Sequence, residues 1–314
     1  MTGFVMRRIM MVFPVMGFVA LFVFLLLHLG PGDPAAIIAG DHATPEKLAE
    51  IRAAHNLDQP IPWQFMTWIA HVLHGDLGTS LLSGLPVTTL IASRLEPTLV
   101  LAFLTLAFST AVALPLGALA ACKRDGIIDK LATGYCVLGT SVPFFVVAYF
   151  LVLVFAIELR LLPVQGYPDA ADGFGNLLLH LVLPVATLSV PVIALVTRTV
   201  KTALLDVLSE DHVRTARAKG ISEASVIVFH GLRNAALPIV TVLGNIFALL
   251  IGGVVVTESI FNLPGIGRLT VDAVLARDYP IVQGIILLAG AAHVLLNLAV
   301  DLLYLKFDPR VRYQ

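Results

Sequence analysis

The polar side chains that could do chemistry in this chain are few, and three of them share one face of its last apolar stretch. His293, Asn297 and Asp301 recur every four residues, which places them on one side of a helix. Ionisable groups inside a membrane often mark a proton relay, so a proton-coupled transporter is one hypothesis. Asp301 lies near the end of the stretch, however, and His293 has no carboxylate within one helical turn. Hydrogen bonding between neighbouring helices is the competing explanation.

Glu258 is a second candidate, because it directly follows another apolar stretch. At that place its carboxylate could meet a substrate ammonium group or a partner protein, or it could be an exposed charge at the rim. Together with His293 and Asn297 it forms our candidate set for a substrate path or outer gate.

Motifs for enzyme chemistry are absent from the sequence. It contains no Gly-x-x-x-x-Gly-Lys-Ser/Thr phosphate loop, no His-Glu-x-x-His and no Gly-x-Ser-x-Gly. If ATP drives this protein, the ATPase is therefore a separate chain. Cys122 and Cys136 have neither metal-ligand spacing nor a disulfide framework around them. We predict no catalytic residue, no metal and no cofactor, and the net charge of −1 gives no general attraction to nucleic acid.

Composition identifies lipid as the solvent of most of the chain. Hydrophobic residues make up 58% of the sequence and charged residues 13%, with a mean hydropathy of +0.92. Ordinary globular proteins carry about 25% charged residues. We therefore expect a membrane protein with an all-α fold, because helices satisfy every backbone polar group within one segment.

Six apolar stretches are long enough to cross a bilayer, which requires about 20 residues each. They are Ile9–Leu29, Pro97–Ala121, Leu131–Ile157, His180–Val200, Pro238–Val256 and Ile281–Leu305. Prolines occur inside them, and we expect these to be tolerated because neighbouring helices can satisfy the freed carbonyl groups. Arg7 and Arg8 before the first stretch could mark a cleaved signal peptide, but the stretch is too long and lacks an A-x-A site, which favours a retained span.

Basic residues predict the orientation of these spans. With the N-terminus in the cytoplasm, 14 of the 20 Lys and Arg residues fall on the cytoplasmic side. Half of the remaining ones lie in a single long loop, where the rule is weak. Both termini are therefore predicted to be cytoplasmic.

Three regions follow from this arrangement: an N-terminal span at 1–30, an extracytoplasmic segment at 31–96 and a five-helix core at 97–314. The extracytoplasmic segment should hold one helix that starts at Pro45 after Thr44 and runs to about His55. A second helix should start near Pro62. It carries Trp63 and Trp68, which suit an interfacial helix; substrate stacking is the alternative. The segment 257–280 should form a re-entrant turn or short helix.

The predicted cytoplasmic loop at about 201–237 lies between two apolar stretches, and its part from Ser209 to Leu237 carries the densest run of charge and polarity in the chain. We predict two short helices broken at Gly220, since glycine readily takes the left-handed conformation that ends a helix. Asp211 can pair with Arg214 at i, i+3, and Ser222 can cap the second helix. Such a pair is either an ordinary solvated loop or a docking element for a soluble partner.

The motifs of this loop resemble those of permease subunits of binding-protein-dependent ABC importers, in the dipeptide, oligopeptide and nickel class. The strongest stretch is Glu210–Gly220 with Leu232–Ala235 and Leu237-Pro238, which is similar to the EAA loop of that family. Weaker similarities run in order along nearly the whole chain: Leu29–Pro34, Asn56–Pro60, Gly75–Ser80, Thr257–Phe261, Leu263–Arg268, Arg277–Pro280, Asn297–Tyr304 and Asp308–Arg310.

This resemblance implies a type I ABC importer permease fold with six transmembrane helices in the inner membrane of a prokaryote. It implies two ABC ATPase subunits, a second homologous permease forming a heterodimer, and a periplasmic or lipid-anchored binding protein. The residues it places at the ATPase contact are Glu210, Asp211, Arg214, Thr215, Ala216, Ala218, Lys219, Gly220 and Ser222. The family's usual acidic residue is replaced by Arg214 here, so Glu210 and Asp211 are both candidates for its role.

The resemblance further implies import of di- or oligopeptides by alternating access, with ATP hydrolysis in the partner subunits. Glutathione and nickel chelates are alternative substrates, and a proton-coupled secondary transporter is a more distant possibility. The sequence shows no Cys or His cluster suited to a metal, which favours peptides.

Overall fold

A computed structural model of the chain describes residues 2–29, 35, 44–54, 58–168, 173–252 and 254–307, which fold predominantly into helices. The helices are α1 Thr2–Leu29, α2 Pro45–Ala54, α3 Ile61–Leu73, α4 Val87–Cys122, α5 Ile127–Ser141, α6 Phe144–Leu151, α7 Phe174–Leu208, α8 Asp211–Ala218, α9 Glu223–Ser225, α10 Ala236–Ile251, α11 Val255–Ile260, α12 Ile266–Leu275 and α13 Tyr279–Phe307. A π-helical stretch continues α6 through Val152–Glu158 and α9 through Val226–Leu232. The all-α prediction is confirmed.

Among the described residues, four straight helices are long and apolar enough to cross a membrane: α1, α4, α7 and α13. They contain four of the six predicted spans. Prolines inside α1, α4 and α7 do not break them, as expected. The fifth predicted span corresponds to α10. The helical segment 223–232 precedes α10, and the axes of the two differ in direction by 60°. Counting each bent helix pair as one span gives six.

The third predicted span, Leu131–Ile157, is not a single continuous helix, so this prediction is wrong. α5 and α6 replace it, and their axes differ in direction by 99°. Pro143 is the physical reason, because its ring removes a backbone donor and disfavours the helical conformation at the residue before it. Val142 accordingly has an extended backbone, with φ −81° and ψ 123°.

The centre of the fold is the contact between α4 and α7. The buried face of α4 includes a stripe of small residues spaced three or four apart, which lets the two backbones approach closely. The members of this stripe are Thr98, Ala102, Thr105, Ser109, Ala113, Gly117 and Ala121. At Gly117 an added Cβ would lie 2.7 Å from Cβ of Val200 and 2.9 Å from the carbonyl oxygen of Thr197. The helices meet so closely there that only glycine fits.

A second cluster joins α1, α3 and α13. The Phe24 ring lies 5.3 Å from that of Phe65 and 5.7 Å from that of Trp68, so the inner face of α3 packs on α1. The amide of Gln283 donates to the carbonyl oxygen of Val23 across 3.1 Å. Trp63 lies on the outer face of α3 and is exposed. The predicted helix starts at Pro45 and near Pro62 are confirmed, while His55 falls outside the described residues.

We predict that Gly117→Ala destabilises the fold, because the added methyl group must force α4 and α7 apart. Overpacking of this kind costs about 1–3 kcal/mol. Gly134→Ala is the matched control: Gly134 also lies in a helix, but an added Cβ there meets nothing within 4 Å. The control should be neutral or slightly stabilising. Thermal unfolding of the purified variants in detergent measures both, and equal melting temperatures would refute the close packing at Gly117.

Candidate functional site

The predicted helix pair around Gly220 is present as α8 and α9. Gly220 has φ +78°, the left-handed conformation that side chains disfavour, and an added Cβ would meet nothing within 4 Å. The backbone N–H of Ile221 donates to the carbonyl of Ala216 at 3.3 Å, and that of Gly220 to Arg217 at 2.9 Å. These bonds close the end of α8 as a glycine-terminated helix does. The bend therefore depends on backbone conformation rather than on free space.

One face of this helix pair is anchored in the main hydrophobic core. Val213 and Val226 have exposed fractions of 0%, and Ala216 is also buried. Gly231 lies so close to α7 that an added Cβ would come within 2.5 Å of Cδ1 of Leu204. Because only two residues separate the end of α7 from the start of α8, this packing binds α8 and the π-helical stretch Val226–Leu232 to the end of a membrane-crossing helix. We call this end of the bundle the Gly220 end.

The opposite face carries charged and apolar side chains in solvent. The guanidinium of Arg217 donates twice to the carboxylate of Glu223, at 2.6 and 3.1 Å, and so bridges the Gly220 bend. Arg214 pairs with Asp211 at 3.4 Å, as predicted. Val228 and Phe229 are 51% and 66% exposed. Exposed apolar side chains and exposed ion pairs on the same helix pair are features suited to binding a protein partner.

The predicted contact residues therefore lie together, with two qualifications. Ala216 faces the core rather than the solvent. Ser222 occupies the N-cap position of α9 but makes no capping hydrogen bond, and its hydroxyl instead donates to that of Ser225 at 3.0 Å. Glu210, Asp211, Arg214, Thr215, Ala218, Lys219, Gly220 and Ser222 are all exposed.

Glu210 and Asp211, the two acidic candidates, differ in their surroundings. The carboxylate of Glu210 lies 3.0 Å from Nδ1 of His212, and Nε2 of that ring lies 3.2 Å from the side-chain amide of Asn234. Glu210 thus belongs to a network that ties α8 to the start of α10. The Asp211 side chain is 96% exposed, so it is the carboxylate better placed to meet a partner.

Glu258 lies in α11 and is only 1% exposed, so an exposed rim charge is the wrong description. Its carboxylate accepts a hydrogen bond from the Thr98 hydroxyl at 2.7 Å and from the Arg268 N–H at 2.9 Å. Gly265 and Gly267 leave room for it, since an added Cβ at either would collide with the carboxylate. Burial raises the pKa of the Glu258 carboxyl. The hydrogen bonds from the Thr98 hydroxyl and from the backbone N–H groups of Arg268 and Gly267 lower it.

The surroundings of Glu258 explain the fold of the segment after α11. Its carboxylate lies beside the first turn of α12, where the free N–H groups of a helix favour a negative charge. Thr98 in turn accepts the N–H of Ile266 at 2.9 Å, which connects the same turn to α4. The predicted turn or short helix at 257–280 is thus two short helices held around one buried carboxylate. A substrate would reach Glu258 only if this turn opened.

The three polar residues predicted to share one face of α13, His293, Asn297 and Asp301, have different surroundings. Asp301 forms an ion pair with Arg8 of α1 at 2.8 Å. His293 is exposed and Asn297 is half-buried. Pairing of Asp301 with a cation on another helix favours the helix-to-helix explanation over a proton relay.

Two buried carboxylates escaped the sequence analysis. Asp129 at the start of α5 pairs with Lys201 of α7 and accepts the N–H of Asp125 at 3.0 Å. Asp278, just before α13, accepts the Ser80 hydroxyl at 2.6 Å and so holds the turn 79–86 against the bundle. Both could have been found in the sequence, because each is an acidic residue immediately beside an apolar stretch. In the part of the chain that is described, no three His, Cys, Asp or Glu side chains could hold a metal ion together.

Replacing Glu258 by Ala should destabilise the turn between α11 and α12. The change leaves buried donors of Thr98, Gly267 and Arg268 without an acceptor, a loss of about 3 kcal/mol. Ser259→Ala, at the exposed neighbouring position, removes only a bond to the carbonyl of its own helix and should change little. The comparison uses thermal unfolding in detergent. If both variants melted at the same temperature as the parent, Glu258 would not organise the turn.

Comparison with known proteins gives matches over the whole chain. Residues 1–115 match the N-terminal model, and residues 113–313 the main model, of the binding-protein-dependent transport system inner membrane component family. A probable peptide ABC transporter permease of Sinorhizobium fredii is 48% identical over 310 residues, covering 99% of both chains. A putative peptide transport system permease of Brucella abortus is 44% identical over 313 residues, covering 100% of both. A glutathione transport system permease of Salmonella paratyphi A is 42% identical over 314 residues, again covering 100% of both.

Among solved structures, a chain of the inward-facing MetNI methionine ABC transporter has the same fold. The TM-score is 0.54 at 16% identity, and the match covers 70% of this chain and 96% of that one. The fold is therefore that of a type I ABC importer permease. With both family models matched in succession, the chain is a multi-pass membrane protein that belongs to the family of inner membrane components of binding-protein-dependent transport systems.

Proposed function

We propose that this chain is the permease subunit of an ATP-driven importer that moves di- or oligopeptides across the cytoplasmic membrane by alternating access. The observation that carries the proposal is the Gly220 helix pair, whose inner face is packed on the end of α7 and whose outer face is exposed. Such an element can transmit motion from a soluble motor to membrane helices. ATP is bound and hydrolysed by the partner subunits, and this chain performs no catalysis.

The proposed coupling works as a lever. Two ATPase subunits approach each other on binding ATP, and the outer face of α8 and the π-helical stretch, seated on one of them, moves with it. Val213 and Val226 carry this displacement into α7, since both side chains are fully buried against the core. The double hydrogen bond between Arg217 and Glu223 keeps the angle at Gly220 fixed. A loose bend would absorb the motion instead of transmitting it.

The orientation of the chain follows from its basic residues. Counted along the sequence, 14 of the 20 Lys and Arg residues belong to the Gly220 end and the two termini, and six belong to the side of Glu258. We place the Gly220 end and both termini in the cytoplasm. A second, non-identical permease faces this one across the substrate path, and a periplasmic or lipid-anchored binding protein delivers substrate to the end with Glu258.

Peptides are the substrate class best supported by the relatives, two of which are named as peptide permeases. The glutathione permease supports an alternative that is chemically close, because glutathione is itself a tripeptide. Nickel chelates receive less support, since no metal-binding cluster occurs among the described residues. A secondary proton-coupled transporter is disfavoured by the pairing of Asp301 with Arg8.

Substitution of Gly220 tests the lever. Gly220→Val should abolish peptide transport and receptor-stimulated ATP hydrolysis together, because a β-branched residue strongly disfavours the left-handed backbone; the penalty for an ordinary side chain is about 1–2 kcal/mol. Gly220→Asn is the matched control, since Asn tolerates this conformation. It should keep about half of the activity or more. Both activities are measured on the complete importer reconstituted in liposomes.

Steric clash cannot explain a defect of Gly220→Val, because a Cβ at this position meets open space. Assembly with the ATPase is checked by co-purification, which should weaken only modestly. Unchanged transport by Gly220→Val would reject the lever. Uptake of peptide by this chain alone in liposomes, without ATPase or receptor, would reject the proposed function as a whole.

A further inference from the structure

A groove of about 190 Å³ lies between α5 and α7 and opens on the surface of the bundle. Six of the ten residues that line it are polar. Thr133 and Thr140 come from α5, and Thr197, Arg198, Lys201 and Thr202 from α7. Thr133, Thr140, Arg198 and Thr202 are exposed in the isolated chain. The hydroxyl groups of Thr140 and Thr133 already donate to the Cys136 carbonyl and to Asp129. Lipid offers no partner to the exposed Arg198 guanidinium, however, so the groove should face water or protein.

The groove reaches far into the membrane-crossing part of the bundle. α5 starts near Lys201, at the Gly220 end, and its 15 residues span about 22 Å at 1.5 Å per residue. Thr140 is close to the far end of α5, while Thr133 is one and a half to two turns nearer its start. About 30 Å is the thickness of the hydrocarbon layer, so Thr140 lies well inside it. The groove therefore forms a polar path from the Gly220 end toward the middle of the bilayer.

The charges of the groove leave it positive. Lys201 is neutralised by the buried carboxylate of Asp129, which also receives the Thr133 hydroxyl at 3.4 Å. Arg198 is exposed, and within the described residues no acidic side chain lies at ion-pair distance from it. Its guanidinium is a planar double donor suited to a carboxylate. The groove thus offers one available cation, surrounded by threonine hydroxyl groups.

The size of the groove fits half of a binding path. Pockets for small ligands usually enclose about 300–1,000 Å³, more than the 190 Å³ of this groove. A second permease that closes the open side would supply the remaining wall. This geometry points to a path shared between two permease subunits, of which the exposed groove forms one half.

We propose that the groove between α5 and α7 is this chain's part of the translocation path, and that Arg198 binds a carboxylate of the passing substrate. The ligand class is an anionic group such as the C-terminal carboxylate of a peptide. The assignment of a peptide carboxylate as the ligand rests on the proposed function as a peptide importer. The existence of a water-filled groove that attracts anions does not depend on that function. The two parts can be tested separately.

The first experiment probes the groove with charged thiol reagents and needs no substrate. Thr140→Cys is introduced into a chain in which Cys122→Ser and Cys136→Ala remove the native thiols. The complete importer in nanodiscs is then treated with an anionic sulfonate-bearing and a cationic trimethylammonium-bearing methanethiosulfonate. We expect both reagents to label the thiol, with the anionic one favoured. Adding Arg198→Gln should lower the anion-to-cation rate ratio about tenfold.

Arg124→Gln is the matched control, since Arg124 is an exposed arginine at the same end of the bundle but outside the groove. It should leave the rate ratio unchanged. If neither reagent labelled Thr140→Cys, the groove would not be an aqueous path and the proposal would be overturned. A ratio that responds equally to Arg124→Gln and Arg198→Gln would overturn the role of Arg198.

The second experiment measures uptake of a dipeptide with a free carboxylate by the complete importer in liposomes. Arg198→Gln should reduce uptake about tenfold, and Arg198→Lys should retain most of it because the positive charge is kept. Unchanged uptake by Arg198→Gln would overturn carboxylate binding. If the unaltered importer moved no peptide, the proposed substrate would fail, but the reagent ratio would still decide whether the anion-attracting groove exists.

Discussion

Close packing of α4 on α7 is the constraint on which the rest of this structure depends. A membrane removes most of the hydrophobic driving force between helices, so contact must come from close fit and polar bonds. The small side chains of α4 provide that fit around Gly117. The same helix pair then holds both functional regions, since Thr98 of α4 binds the turn around Glu258 and α7 leads directly into α8.

Buried carboxylates fix the segments that leave this helix pair. Glu258 and Asp278 hold the turns at one end, and Asp129 holds the start of α5 near the other. Each accepts hydrogen bonds from groups distant in sequence or from a neighbouring turn. Unpaired charges of this kind would be expensive, which is why each has donors around it. These three buried carboxylates therefore act as joints between helices, whereas the Gly220 helix pair and the α5–α7 groove present charge outward.

Much of this arrangement could be predicted from the sequence, because lipid restricts the available structures. Apolar length gave the straight spans, and Gly220 marked the bend between α8 and α9. The break at Pro143 could not be predicted from length alone: Pro115 and Pro184 lie in unbroken helices, so the outcome depends on which neighbour supplies the missing bond. Burial of Glu258 and pairing of Asp129 with Lys201 depend on contacts between distant segments, which periodicity does not report.

The break between α5 and α6 has a consequence for the life of the protein before it is assembled. The last carbonyl groups of α5 lack donors from a following helical turn, and Ser141, Val142 and Pro143 are exposed in the single chain. A newly made copy would present this uncovered backbone to acyl chains, which cannot satisfy it. Pairing soon after insertion would shield it, so an orphan copy should be a natural target for membrane quality-control proteases.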